Sequence, residues 1–157
     1  MATIKKKPSG YGQFGGFSPY GNVTALAFFL ATNASGAVID SDTTVAVASG
    51  DVIDLGELPE GMRLDDAQIL IKTGMTATVT GSLGFKYVDG DSTEVPQDAA
   101  YFINAGDLAT AGRLRANTGK LVTLPKSARL ILTTGVAANA KASDIKVIVS
   151  GELTGPR

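Results

Sequence analysis

In Asp144-Ile145-Lys146-Val147-Ile148-Val149-Ser150, the side chains of Ile145, Val147 and Val149 fall on one side of an extended backbone and Lys146 falls on the other. Successive side chains of a strand point to opposite faces, so this alternation describes a half-buried β-strand. Branching at Cβ in Ile145, Val147, Ile148 and Val149 favours the same conformation. Arg129-Leu130-Ile131-Leu132-Thr133 repeats the pattern. Leu130 and Leu132 share a face, while Ile131 points away from the main core.

Similar short runs, rich in Val, Ile, Thr and aromatic residues, fill the chain from Asn22 onward. They predict strands near 23–31, 37–39, 44–48, 51–56, 67–73, 76–88, 99–103, 120–124, 128–134 and 145–153. Many short strands separated by turn residues indicate an all-β sandwich or barrel. Asp89-Gly90, after Phe85-Lys86-Tyr87-Val88, is a hairpin signal, and Leu58-Pro59-Glu60-Gly61 forms a turn. The single helical candidate is a turn or two over 105–115, where Leu108, Ala111 and Arg115 are spaced like a face, although Gly112 weakens it.

Residues 1–21 differ from this body, which spans 22–157. Pro8, Pro19 and the glycines at 10, 12, 15, 16 and 21 resist both helix and ladder pairing, so this part is expected to be an extended arm. Tyr11, Phe14, Phe17 and Tyr20 recur every third residue, the repeat of a polyproline II helix. That repeat aligns four large apolar rings along one edge, and such rings dominate interface energetics. They need a groove, either on a partner or, if the arm folds back, on their own body. Lys5, Lys6 and Lys7 are the only charged side chains before Asp40, against eleven basic and fifteen acidic ones afterwards. A basic lead on an acidic body suits contact with an acidic surface, and it also serves ordinary solubility.

The 157 residues suffice for one domain with a core of its own. With a net charge of -1 the body lacks the clustered basic face that nucleic acid requires. The sequence contains no Cys and no His, so disulfides, thiolate chemistry, the usual general base and the commonest metal ligand are all missing. The longest apolar stretch, 25–31, falls well short of the roughly 20 residues of a membrane span. No secretion signal is visible, which leads to the expectation of synthesis in a cytoplasm.

Paired carboxylates occur at Asp40 with Asp42, Asp65 with Asp66 and Asp89 with Asp91, and acid/base hydrolysis would need such pairs. Each pair falls in an expected turn, where Asp caps backbone donors. Asp89-Gly90-Asp91-Ser92-Thr93-Glu94 has alternating oxygen ligands like the start of a calcium loop, but the rest of that pattern is missing. Gly10-Tyr11-Gly12-Gln13-Phe14-Gly15 spells a dinucleotide fingerprint, yet it follows Lys-Lys-Lys-Pro instead of a strand. The chain is therefore expected to be non-catalytic, with no cofactor and no metal.

Asp51-Val52-Ile53-Asp54-Leu55-Gly56-Glu57-Leu58-Pro59-Glu60-Gly61, followed by Asp65-Asp66-Ala67-Gln68-Ile69-Leu70-Ile71, resembles a segment of structural proteins of tailed bacteriophages, in particular capsid decoration (cement) proteins. The resemblance implies a jelly-roll-like β-sandwich on the outer surface of a virion. Its implied partners are the major capsid protein and itself as a homo-oligomer, a dimer slightly ahead of a trimer. The implied role is head stabilisation by bridging neighbouring capsid subunits, with Lys5, Lys6, Lys7, Tyr11, Phe14, Phe17 and Tyr20 as partner-binding residues. A receptor- or glycan-binding module of a phage fibre is the alternative, although the chain lacks Trp and its body has few rings for a stacking platform.

Overall fold

The computed structural model describes residues 1–5 and 23–155. Ten strands follow one another: β1 (Thr3–Lys5), β2 (Val23–Thr32), β3 (Val52–Leu58), β4 (Met62–Thr73), β5 (Thr80–Tyr87), β6 (Asp98–Asp107), β7 (Gly112–Arg115), β8 (Val122–Thr123), β9 (Ala128–Gly135) and β10 (Ser143–Leu153). One sheet has the order β1-β3-β9-β5-β6 and the other β2-β10-β4-β7, with β8 also on β4. Strands β2, β3, β4 and β5 alternate between the sheets, and β9 and β10 divide the same way. This interleaving is the double Greek key of a jelly-roll-like sandwich.

The alternation read in 144–150 is what builds the second sheet. Ile145, Val147 and Val149 are fully buried and stand opposite Leu30, Phe28 and Leu26 of β2 and Ile71, Ile69 and Ala67 of β4. Lys146 lies on the outer face, its Nζ 5.3 Å from the Phe29 ring centroid. In the first sheet Leu130 and Leu132 enter the core while Ile131 faces outward, where it is nonetheless buried. Each such aliphatic side chain contributes about 1.5–3 kcal/mol by leaving water. Between the sheets, Phe85, Tyr101 and Phe102 stack edge to face.

Several sequence expectations need correction. Residues 37–39 and 44–48 are not strands but carry isolated bridges, Thr32 to Val38 and Ala37 to Ala46. Asp40 is left-handed there (φ 57°), and Asn33, Ser41 and Thr43 side chains take backbone donors that a ladder would use. The strand expected from 76 begins at Thr80, because Thr78 is left-handed (φ 69°). The helical turn over 105–115 is absent. Leu108 is instead drawn fully into the core, and its N–H and C=O are spent on Val79 and Met75, so the chain crosses from β6 in one sheet to β7 in the other. Asp65 and Asp66 lie inside β4, at an irregularity opposite Ser150 and Gly151, and not in a turn.

The start of the chain is also part of the body. Thr3–Lys5, within the span expected as an arm, pairs in parallel with Val52–Asp54, and Ile4 is 3% exposed in the core. Ala2 N–H donates to Asp51 Oδ1 at 2.9 Å, and Lys5 N–H donates to Asp42 Oδ1 at 3.1 Å. On this side of the sandwich the two sheets meet, with the Phe28 ring lying where a Cβ on Gly56 would be, 2.6 Å away. Only glycine leaves room for that ring.

Candidate interaction surfaces

Of the residues expected to bind a partner, Lys5 is exposed at the end of β1. Lys6, Lys7, Tyr11, Phe14, Phe17 and Tyr20 lie outside the described residues.

Of the paired carboxylates, Asp42, Asp65, Asp66, Asp89 and Asp91 are held by cations and backbone donors. Asp65 receives the Arg63 guanidinium at 2.6 and 3.0 Å, Asp66 faces Arg115 at 3.4 Å, and Asp42 accepts Lys5 N–H. Asp91 Oδ1 accepts the N–H groups of Gln97 at 2.7 Å and Ser92 at 2.8 Å, and these bonds hold its carboxyl below the ordinary carboxylate range. A hydrogen bond from Lys126 lowers Asp89 likewise. A general acid needs the opposite, a carboxyl raised by an apolar site. Among the described residues no three acidic side chains gather in a way that could hold a metal ion.

At the calcium-like stretch the structure supplies its own cation. Lys126 Nζ lies 2.8 Å from Asp89 Oδ1 and 2.8 Å from the Gly90 carbonyl oxygen, with the Asp91 carbonyl at 3.5 Å. An ammonium thus occupies the oxygen-lined position, and the 88–97 connection is folded around a lysine. Asp89-Gly90 does join two paired strands, since β5 and β6 run antiparallel, but through ten residues instead of two. Lys126 also sits 4.9 Å from the Tyr87 ring centroid.

Tyr87 closes the other side of this connection by donating its hydroxyl to the Val95 carbonyl at 2.9 Å. Burial, followed by the nearby Asp91 and Glu94, pushes its phenol up to about 12. A raised phenol stabilises the fold fully below its unfolded value near 10, and the contribution is lost as pH rises through the folded value. The expected result is an alkaline loss of stability between about pH 10 and 12 that Tyr87→Phe flattens, read by thermal melts across that range together with phenolate absorbance. An unchanged alkaline profile in Tyr87→Phe would count against this assignment.

The 88–97 connection forms one wall of a groove of about 310 Å³ that opens between the sheets. Val95 and Pro96 line that wall, Tyr101 and Phe85 lie at its base, and Leu121 and Val122 form the facing wall. Leu121 is 66% exposed. The Tyr101 hydroxyl lies within hydrogen-bond distance of the Leu64 carbonyl (3.2 Å) and the Lys120 carbonyl (3.1 Å), and accepts Val122 N–H at 3.1 Å, fixing the facing wall. Lys120 pairs with Asp98 across the groove. Nothing in the sequence marks this groove, because its walls come from segments more than twenty residues apart.

The opposite end of the sandwich is closed around Asn139, which is 1% exposed. Its Oδ1 accepts Thr76 N–H at 3.0 Å and Thr76 Oγ1–H at 3.2 Å. Its Nδ2 donates to Thr32 Oγ1 at 3.0 Å and to the Lys141 carbonyl at 2.9 Å.

No family model matches the chain, and no curated protein matches it. Among solved structures it is similar to a chain of the capsid of Ralstonia phage GP4, with a TM-score of 0.65 and 17% identity over 99% of each chain. It is also similar to a chain of the acidic stable capsid structure of Helicobacter pylori bacteriophage KHP30, with a TM-score of 0.51 and 15% identity over 83% of this chain and 89% of that one. At these identities the likeness is one of fold.

Proposed function

We propose that this chain is a virion structural protein that decorates a phage capsid and stabilises it by bridging neighbouring major capsid subunits. The observation that carries this reading is a fold shared along 99% of its length with a capsid chain of Ralstonia phage GP4. The chemistry agrees with it. Asp42, Asp65, Asp66, Asp89 and Asp91 serve ion pairs and loop closure, and among the described residues Phe29 is the one exposed ring, which is too little for a sugar-stacking platform. Adhesion then rests on the segment carrying Tyr11, Phe14, Phe17 and Tyr20, with Lys5, Lys6 and Lys7 meeting acidic surface. Such a segment gains affinity from its rings and, repeated over a lattice, from avidity.

The test is binding of the purified chain to expanded capsids. Removing residues 2–21 would also remove Ile4 and β1 from the core, so the informative variant replaces the four rings by serine and keeps the chain length. Binding is expected to fall at least a hundredfold while circular dichroism stays that of the parent, since anchor residues each contribute about 2 kcal/mol or more. Undiminished binding would remove the rings from the mechanism.

A further inference from the structure

Asp51 is 6% exposed, and each of its carboxylate oxygens accepts one backbone N–H, Oδ1 from Ala2 and Oδ2 from Ala48, both at 2.9 Å. Among the described residues no lysine or arginine pairs with it, since the ion pairs there all involve other carboxylates. A carboxylate taken out of water is costly unless an opposite charge or several donors compensate it. The neighbouring acids are committed elsewhere, Asp54 to the Arg129 guanidinium and Asp42 to Lys5 N–H. Asp51 is therefore the carboxylate that faces residue 2, and it lacks a counter-ion.

Residue 2 is held at both its polar atoms, because the Ala2 carbonyl accepts Val52 N–H at 3.0 Å. Met1, in contrast, projects into solvent, 97% exposed, and the Ala2 side chain is small and exposed. A peptidase can reach the bond between them without disturbing the core, and Met ahead of a small side chain is what methionine-removing aminopeptidases accept. We propose that the Met1–Ala2 bond is hydrolysed in the working protein and that the new α-ammonium of Ala2 is the counter-ion of Asp51. Water supplies the atoms of this step: the C–N bond breaks, Met1 leaves with the carboxylate, and Ala2 keeps the nitrogen, which takes up a proton. The nitrogen that gives Oδ1 one N–H as an amide then stands in the same place with three donors and a positive charge. The ion pair fastens β1 at its start, so Ile4 stays in the core and Lys5, after which residues 6–22 continue, is fixed.

Intact mass and N-terminal sequencing of the full chain produced in bacterial cells are expected to show a protein lighter by one methionine and starting at Ala2. Two variants then separate the ion pair from a mere trimming of the chain. Asp51→Asn removes the carboxylate charge, and Ala2→Gln, at an exposed position, blocks the cut by its bulk and leaves the Met1 amine in solvent. At pH 7 an amine-reactive reagent, read on the N-terminal peptide, should modify the parent about tenfold more slowly than either variant, as an α-ammonium stabilised by about one pKa unit requires. Such an ammonium stabilises the fold fully below its unfolded value near 7.7–8.0, and the contribution is lost as pH rises through the folded value. The melting temperature of the parent should therefore fall by about 3–5 °C more than that of either variant between about pH 7.5 and 10. Should Asn at position 51 prevent folding, Ala2→Gln supplies both comparisons. Met1 retained on the purified parent chain overturns the inference. An Ala2 amine that reacts as fast in the parent as the amines of the variants, with the same alkaline profile, overturns it too.

Discussion

Replacing Asn139 by leucine should lower the stability of the fold by about 3–5 kcal/mol, because buried groups left without partners each cost roughly 1–3 kcal/mol. The side chain joins Thr76 in the β4–β5 connection to Thr32 at the end of β2 and to the Lys141 carbonyl. Its own N–H donates to the Val47 carbonyl at 2.8 Å, which ties in the β2–β3 connection as well. Leucine fills the volume but leaves Thr76 N–H without its acceptor and takes from the Lys141 carbonyl one of its two donors, the other being the Thr32 hydroxyl. Asn139→Asp should be about as damaging, since it buries a carboxylate and turns one of its oxygens toward the Lys141 carbonyl, which can only accept. At roughly 2–4 °C per kcal/mol for a chain of this size, the melting temperature should fall by about 10–15 °C. A fall under 3 °C in both variants would show that the loops hold this end without Asn139.

Gly84→Ala should cost about 3 kcal/mol or more, although it adds a single methyl to a strand. A Cβ at Gly84 would overlap the Asp98 carbonyl and the backbone of Ala99. These are ladder atoms of β6, not the ends of mobile side chains, so β5 and β6 must separate locally. That separation would also move Asp98 and Tyr101, and with them one side of the groove. Gly119→Ala is the matched control, because a Cβ there meets nothing within 4 Å and its φ is ordinary. It should be neutral or stabilising by up to about 1 kcal/mol, through the unfolded chain. Equal urea midpoints for the two variants would contradict this packing.

The contrast between these two glycines shows where the sequence is silent. Period-2 alternation made β10 legible residue by residue, since it has one wet and one dry face, and it set the core side of β9, although Ile131 is buried on the outer side as well. Leu58-Pro59-Glu60-Gly61 announced its turn because only a few residue types fit left-handed backbone, and Gly61 does adopt it (φ 74°). Nothing local separates Gly84 from Gly119, or Asn139 from any loop asparagine, because their partners lie elsewhere in the chain. Thr3-Ile4-Lys5 was hidden for a related reason. Three residues beside a Gly- and Pro-rich run carry no period, and only a vacant place beside β3 makes Ile4 a core residue. The same limit applied to the groove, whose apolar side chains looked like those of any strand end, while the rings and lysines of the leading segment stood out by spacing and charge alone.

The position of β10 has a consequence for how the protein is made. Although it comes last, β10 sits between β2 and β4 and supplies hydrogen bonds to both. A nascent chain therefore holds β2 and β4, with their apolar faces, without the strand that joins them until Ser143–Leu153 has left the ribosome. At 5–20 residues per second that interval is several seconds, during which a long apolar strand such as Val23–Thr32 is open to pairing with other nascent copies. The second sheet thus cannot close until Ser143–Leu153 has emerged, and slow translation of the stretch between β4 and β10 would lengthen the period of risk.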